Sequence, residues 1–233
     1  MKQLIDKILV EKTREGRKDG AYSRLLGDEE LGALISRIHA TSISAGTFLE
    51  NYIVSVAPSL PPNDIPKIFD NSLKEGIFLI NKKIIKQYIT IYLNMESVIE
   101  PDYIIVDCIQ HFLYVIELKD GDNFDTKKSK GEVQNLKTYS KALANKVPYP
   151  WKIQIKVCMF YQNDKTKIVS GFKSCITETE AMSGEEFCRL LSINKADIDK
   201  QRSLACEKNI DFVIDELLHI SVVSRKIHQK LTH

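Results

Sequence analysis

Apolar positions along the chain change their period twice, and the changes divide it into three stretches. In the first, Leu31, Leu34, Ile35 and Ile38 recur at the spacing of one buried helix face, so residues from about Lys2 to Ile43 read as helical. A second helix is predicted at Thr47 to Val56. Ala57 to Pro66 then carries four prolines in ten residues, which no helix or strand can continue through, and reads as a surface connection. In the middle stretch, Ile84 to Leu93 is rich in β-branched and aromatic residues and predicts a strand. Further strands are predicted at Tyr103 to Ile109, Phe112 to Leu118, Ile153 to Tyr161 and Ile168 to Phe172. Glu132 to Ala144 places Val133, Leu136, Tyr139, Ala142 and Leu143 at helical spacing, which gives the order β-β-β-α-β-β. The last stretch returns to helix. Ser183 and Glu186 match the S-x-x-E capping box ahead of Phe187, Leu190 and Leu191, and a longer helix runs through Phe212, Val213, Leu217 and Ile220. Without an internal repeat, a solenoid is disfavoured.

Length and composition fit this pattern. A chain of 233 residues suffices for one domain with a sizeable core, and 43% apolar with 27% charged residues is ordinary globular usage. The organisation expected is a single domain over residues 1–233, with a helical region at 1–45, a core at 47–172 and C-terminal helices at 183–233. Net charge is only +2, from 33 Lys and Arg against 31 Asp and Glu, so any nucleic-acid contact must be a local basic patch. Lys12, Arg14, Arg17, Lys18 and Arg24 form one cluster and Lys127, Lys128 and Lys130 another; each serves equally well as a solvated face. The five cysteines make no C-x-x-C pair and the five histidines no H-x-x-x-H pair, which argues against a zinc site or a metalloprotease. The first ten residues lack the apolar run of a signal peptide, and no stretch is apolar enough to cross a bilayer. A cytoplasmic protein without membrane association is expected.

The chemistry concentrates in Pro101-Asp102-Tyr103-Ile104-Ile105-Val106-Asp107-Cys108-Ile109-Gln110-His111-Phe112-Leu113-Tyr114-Val115-Ile116-Glu117-Leu118-Lys119. Two apolar runs meeting near Gln110 predict an antiparallel hairpin, and a turn centred there sets Asp102 opposite Leu118. Glu117 and Lys119 project to one face, because side chains alternate along a strand. Such a cluster suits phosphodiester hydrolysis. The carboxylates of Asp102 and Glu117 are hard oxygen ligands for Mg2+, and a lysine beside the metal, its pKa readily lowered by burial or nearby cations, can orient or help deprotonate the attacking water or stabilise the developing phosphorane charge. An acid-x-Lys triplet alone is cheap, with roughly two expected by chance in a chain this long. The other one, Asp125-Thr126-Lys127, follows a turn-rich segment with no preceding strand. A hairpin whose charged end is merely solvated is the alternative.

With the acid-x-Lys at the end of a hairpin, the sequence resembles the PD-(D/E)xK nuclease superfamily over roughly Thr47 to Tyr161, and within it most resembles the type II restriction endonucleases. The resemblance implies an α/β (α+β) fold with a restriction-endonuclease-like core. Its central mixed sheet of four to five strands would be flanked by helices, with helical additions at both termini. It also implies Mg2+-dependent cleavage of double-stranded DNA at a short specific site, a homodimer, and a cognate DNA methyltransferase as functional partner. Glu50, in Gly46-Thr47-Phe48-Leu49-Glu50, looks like the helical acid that joins the metal shell in such nucleases, and it shares a face with Ile53, Val54 and Ala57 that should point inward. Thr47 and Glu50 equally fit a T-x-x-E capping box. Lys127, Lys128 and Lys130 are candidate phosphate contacts. Gln134, and Tyr139 beyond it, resemble polar residues that relatives direct toward metal or DNA, although Gln134 also suits an exposed helix position. Asp107 is expected on the opposite strand face, outside the site. A repair, phage or structure-specific nuclease, or a silent DNA-binding protein on the same fold, remains the alternative.

Overall fold

The structure is a computed structural model that describes residues 2–95, 98–121 and 126–232. In chain order its main elements are α1 (Ala21–Leu26), α2 (Glu29–Val56), β1 (Ile77–Asn81), β2 (Tyr103–Asp107), β3 (Phe112–Lys119), α3 (Thr126–Ala144), β4 (Lys152–Met159), α4 (Lys165–Gly171), β5 (Ala181–Ser183), α5 (Gly184–Leu190), α6 (Lys195–His219) and α7 (Ser221–Leu231). They gather into two compact units, one of Ile53–Lys195 around the sheet and one of Met1–Tyr52 with Ala196–His233. No helix among the described residues is long and apolar enough to cross a membrane.

The sheet is mixed, in the order β1-β2-β3-β4-β5. Its first three strands are antiparallel neighbours, and β4 and β5 add in parallel to β3. Parallel neighbours need a crossover connection, and α3 supplies it between β3 and β4, α4 between β4 and β5. α3 lays Val133, Leu136, Tyr139 and Leu143 onto a core shared with Ile104, Val106, Val115 and Val157. All five residues of β2 are buried, as befits a strand with neighbours on both edges. A mixed five-stranded sheet flanked by helices is thus observed, as the sequence suggests, but two of its predicted strands are not strands.

Ile84 to Leu93 is helical, including a π-helical turn over Ile85–Thr90, and the first strand lies earlier at Ile77–Asn81. The Asn81 side chain caps the segment by accepting from the Ile84 N–H at 3.1 Å. Ile85, Ile89 and Leu93 are buried at four-residue spacing, whereas Lys86, Gln87 and Tyr88 are exposed. That period, rather than β-branched content, decides the element. Ile168 to Phe172 likewise belongs to a helical turn. Asp164 accepts from the N–H groups of Thr166 and Lys167 at 2.9 and 3.3 Å, and α4 then buries Ile168 and Phe172 one turn apart.

The fifth strand is instead Ala181–Ser183, directly before the capping box. There Ser183 Oγ accepts from the Glu186 N–H at 3.2 Å and Glu186 Oε2 accepts from the Ser183 N–H at 3.0 Å. A Cβ on Gly184 would collide with the Phe160 backbone carbonyl, so the start of α5 touches the end of β4 closely enough to require glycine.

In the helical unit, the expected break between Ile43 and Thr47 is absent, because α2 runs unbroken through it. Thr41, Ser42 and Ser44 bond back to the carbonyls of Arg37, His39 and Ala40, so these small polar residues satisfy themselves within the helix. Thr47 is therefore mid-helix, and the capping-box reading of Thr47 and Glu50 fails for want of free N–H groups to cap. The stretch from Thr13 to Gly20 carries no helix. Just before it, the Asn209 side chain bonds the backbone of Ile8 and Val10, at 2.8 Å each.

Within the core, Thr90 Oγ1 and Tyr139 Oη lie 2.9 Å apart, both buried. Tyr139→Phe strands the threonine hydroxyl and is expected to lower stability by about 1–3 kcal/mol. Adding Thr90→Val should recover most of that loss. Urea unfolding midpoints of the single and double variants measure it, and a double variant as unstable as the sum of the singles contradicts the pairing.

Candidate active site

The β2–β3 register pairs Tyr103 with Ile116 and Asp107 with Phe112, so the turn is centred between Ile109 and Gln110. A centre on Gln110 would have put Asp102 opposite Leu118. The observed register, continued by one pair, puts it opposite Glu117, and residues directly opposite in an antiparallel ladder share a face. Asp107 sets the turn: its buried carboxylate accepts from the N–H groups of Ile109 and Gln110, both at 3.0 Å, and His111 closes the loop at φ 55°. Asp107 is a turn residue, with its carboxylate occupied.

At the other end of the hairpin, side chains converge from three elements and a helical turn. Asp102 Oδ2 accepts from the Leu118 N–H at 2.9 Å, and its Oδ1 lies 3.1 Å from Lys82 Nζ. Glu117 and Lys119 share one face of β3, with Leu118 buried on the other. Lys119 Nζ lies 2.6 Å from Glu117 Oε1 and 2.8 Å from Glu132 Oε1. Glu132 arrives from α3, on the face that also carries Leu136, Tyr139 and Leu143. Beyond Lys119, its carbonyl accepts from the Phe160 N–H at 2.9 Å, which ties the end of β3 to the end of β4.

Among the described residues the cluster sets three carboxylates against two ammonium groups, and only Lys82 of these five is half exposed. Burial pushes the Glu117 carboxyl up, the Asp102 charge opposite adds to the effect, and Lys119 only partly offsets them, leaving Glu117 at about 7. For Lys119 burial acts against the ammonium. The Glu117 and Glu132 carboxylates outweigh it and raise the lysine to about 12. The sequence suggests a lowered lysine pKa; here the two carboxylates in contact favour the charged ammonium instead. Glu132 Oε2 is buried without a hydrogen-bond partner.

These groups suit a hard cation. Among the described residues no three His, Cys, Asp or Glu side chains form an all-protein metal cage. Mg2+ does not need one, since it takes one or two carboxylates and keeps several waters. An excess of carboxylate among the described residues and the oxygen-only acceptors of Asp102 and Glu117 match that demand.

Of the other predicted site residues, Lys127, Lys128 and Lys130 are exposed on the opening turns of α3, and Asp125 of the second acid-x-Lys triplet lies outside the described residues. Gln134 is exposed, its amide 3.3 Å from Thr138 Oγ1, and Tyr139 is buried against Thr90. Glu50 stands on α2 in the helical unit and is exposed, so its expected inward orientation is not observed: Leu49 and Ile53 take the buried face instead. Two cluster members escaped the sequence reading. Glu132 was legible in principle, as an acid four residues before Leu136 on an apolar helix face. Lys82 carried no signal, because it lies next to a segment misread as a strand.

No family model matches the sequence, and no solved structure matches it. The chain is, however, 36% identical over 218 residues to the type II restriction enzyme HhaII of Haemophilus parahaemolyticus, an alignment that spans 91% of this chain and 95% of that enzyme. Neither structural unit falls outside a match of that length. With a relative this similar over nearly its whole length, the chain belongs to the type II restriction endonucleases, the hydrolases that bind DNA and cut its phosphodiester bonds in restriction-modification systems.

Proposed function

We propose that Asp102, Glu117 and Lys119 form a PD-(D/E)xK-type active site on a restriction-endonuclease-like sheet, cutting double-stranded DNA at a short specific site with Mg2+. The observation that carries this reading is the convergence of the three side chains at one end of a single hairpin, within a cluster where, among the described residues, carboxylates outnumber ammonium groups. Asp102 and Glu117 would hold the ion. When bound, Mg2+ neutralises phosphate charge and makes a water acidic enough to supply hydroxide near neutral pH.

The chain's own residues do the rest. The Leu118 N–H fixes one oxygen of Asp102, and the other, against the half-exposed Lys82, can turn to a cation. Lys119, protonated across the working pH range, stabilises negative charge developing on the phosphoryl group and orients the attacking water. Lys127, Lys128, Lys130 and Gln134, exposed on the helix that brings in Glu132, contact phosphates beside the cut and position the duplex without reading its sequence. Cutting both strands of a short palindrome calls for two such sites related by a two-fold axis, hence a homodimer. A cognate methyltransferase protects the host's own sites, and both act in the cytoplasm.

Incubation with plasmid or phage DNA and Mg2+ is expected to give discrete fragments. Asp102→Ala and Lys119→Ala should each cut at least ~10²-fold more slowly. Cleavage by either variant at the wild-type rate would remove that residue from the site, and a smear would rule out a specific endonuclease.

Glu117 makes Mg2+ binding pH-dependent. Its carboxyl titrates at about 7 in the folded, metal-free protein and near the ordinary carboxylate range when unfolded. The stability it contributes is therefore present below that ordinary range and lost as pH rises through about 7. Mg2+ requires the ionised form, so it should restore most where most has been lost. The rise in Tm on adding Mg2+ is expected to be larger at about pH 8 than at about pH 6, and Glu117→Gln should abolish that difference. A Mg2+-induced rise equal at both pH values contradicts Glu117 as a ligand.

A further inference from the structure

Among the described residues Lys119 contacts two carboxylates, and on the reading proposed above one of them is also needed by the cation. The Lys119 Nζ contacts Glu117 Oε1 at 2.6 Å and Glu132 Oε1 at 2.8 Å. Glu117, on the reading proposed above, must also hold the cation, and a carboxylate committed to a dication has less charge to offer an ammonium beside it. The same dication repels that ammonium. A lysine on a flexible four-carbon stem would then swing away into solvent unless something else held it.

Glu132 has the attributes of that second anchor. It projects from α3, whose neighbouring Val133, Leu136 and Tyr139 are locked in the core, so its position is set by a rigid element. Its Oε1 bonds Lys119, and its Oε2 is buried with no hydrogen-bond partner, so no other described donor competes for it. Burying a carboxylate oxygen in this way destabilises the fold, and an apolar side chain would pack better beside Leu136. Packing therefore does not account for an acid there.

We propose that Glu132 is a positioning residue for DNA cleavage, holding the Lys119 ammonium at the Asp102–Glu117 pair when Glu117 turns to the cation. The inference rests on the site proposed above and can fail separately from it. Glu132→Ala should slow single-turnover cleavage by ~10–100-fold, the usual cost of losing a group that orients a functional one. Half-saturation by Mg2+ and DNA affinity measured in Ca2+ should each stay within about 3-fold of wild type, since Glu132 touches neither ligand.

The decisive comparison is a double-mutant cycle. In a Lys119→Ala background, Glu132→Ala should cost less than about 2-fold more, because a residue acting through Lys119 has nothing left to act on. Glu132→Gln keeps an acceptor without the charge and should fall between wild type and alanine. A readout independent of turnover is acylation of the metal-free protein by a brief pulse of acetic anhydride, followed by peptide mass spectrometry. Lys119 should label several-fold faster in Glu132→Gln than in wild type. Additive losses in the cycle, a Mg2+ half-saturation shifted in step with the rate, or unchanged labelling would each overturn the inference. Wild-type cleavage by Lys119→Ala would overturn the underlying site as well.

Discussion

Two carboxylates set face to face across an antiparallel pair repel each other, and the β2–β3 hairpin gives Asp102 and Glu117 little room to part. Asp107 fixes the turn at the far end through two backbone bonds, and the ladder transmits that register over five residue pairs to the mouth. The Leu118 N–H then pins Asp102 across from Glu117. Burial and repulsion raise Glu117 toward neutrality, while Lys82 holds Asp102 and Lys119 holds Glu117.

β3 serves both halves of the architecture. One edge pairs antiparallel with β2 and delivers Asp102; the other pairs parallel with β4, and the crossover this requires is the helix that delivers Glu132. The same strand that alternates Glu117 and Lys119 toward the site turns Leu118 into the core. Chemistry and packing are thus read from opposite faces of one strand, and the parallel step after β3 is what brings a helical carboxylate within reach of a strand lysine.

Where pattern reasoning succeeded and failed follows from what it measures. Ile84 to Leu93 and Ile168 to Phe172 are β-branched or apolar enough to pass for strands, yet their burial repeats every fourth residue and a capping side chain, Asn81 or Asp164, stands just before each. Composition reports which residues can lie on a pleated surface, whereas spacing and caps report which backbone satisfies its own hydrogen bonds. The run of Thr41 to Thr47 looked like a helix boundary for the opposite reason. Small polar residues favour boundaries, but here they bond to carbonyls of the preceding turn, and the helix continues through them.

The sequence by itself determined the hairpin, the alternation that sends Glu117 and Lys119 to one face, the apolar face of α3, the capping box at Ser183 and the class of chemistry that two acids and a lysine support. These depend on neighbours within a few residues or on the two-residue period of a strand. Tertiary structure decided the rest: the one-residue register that aligns Asp102 with Glu117, the arrival of Glu132 and Lys82, the exposure of Glu50 and the protonation of Lys119. Each of those depends on which charges meet after distant segments pack, and the energy of a buried charge is set by its surroundings in space, about which spacing along the chain is silent.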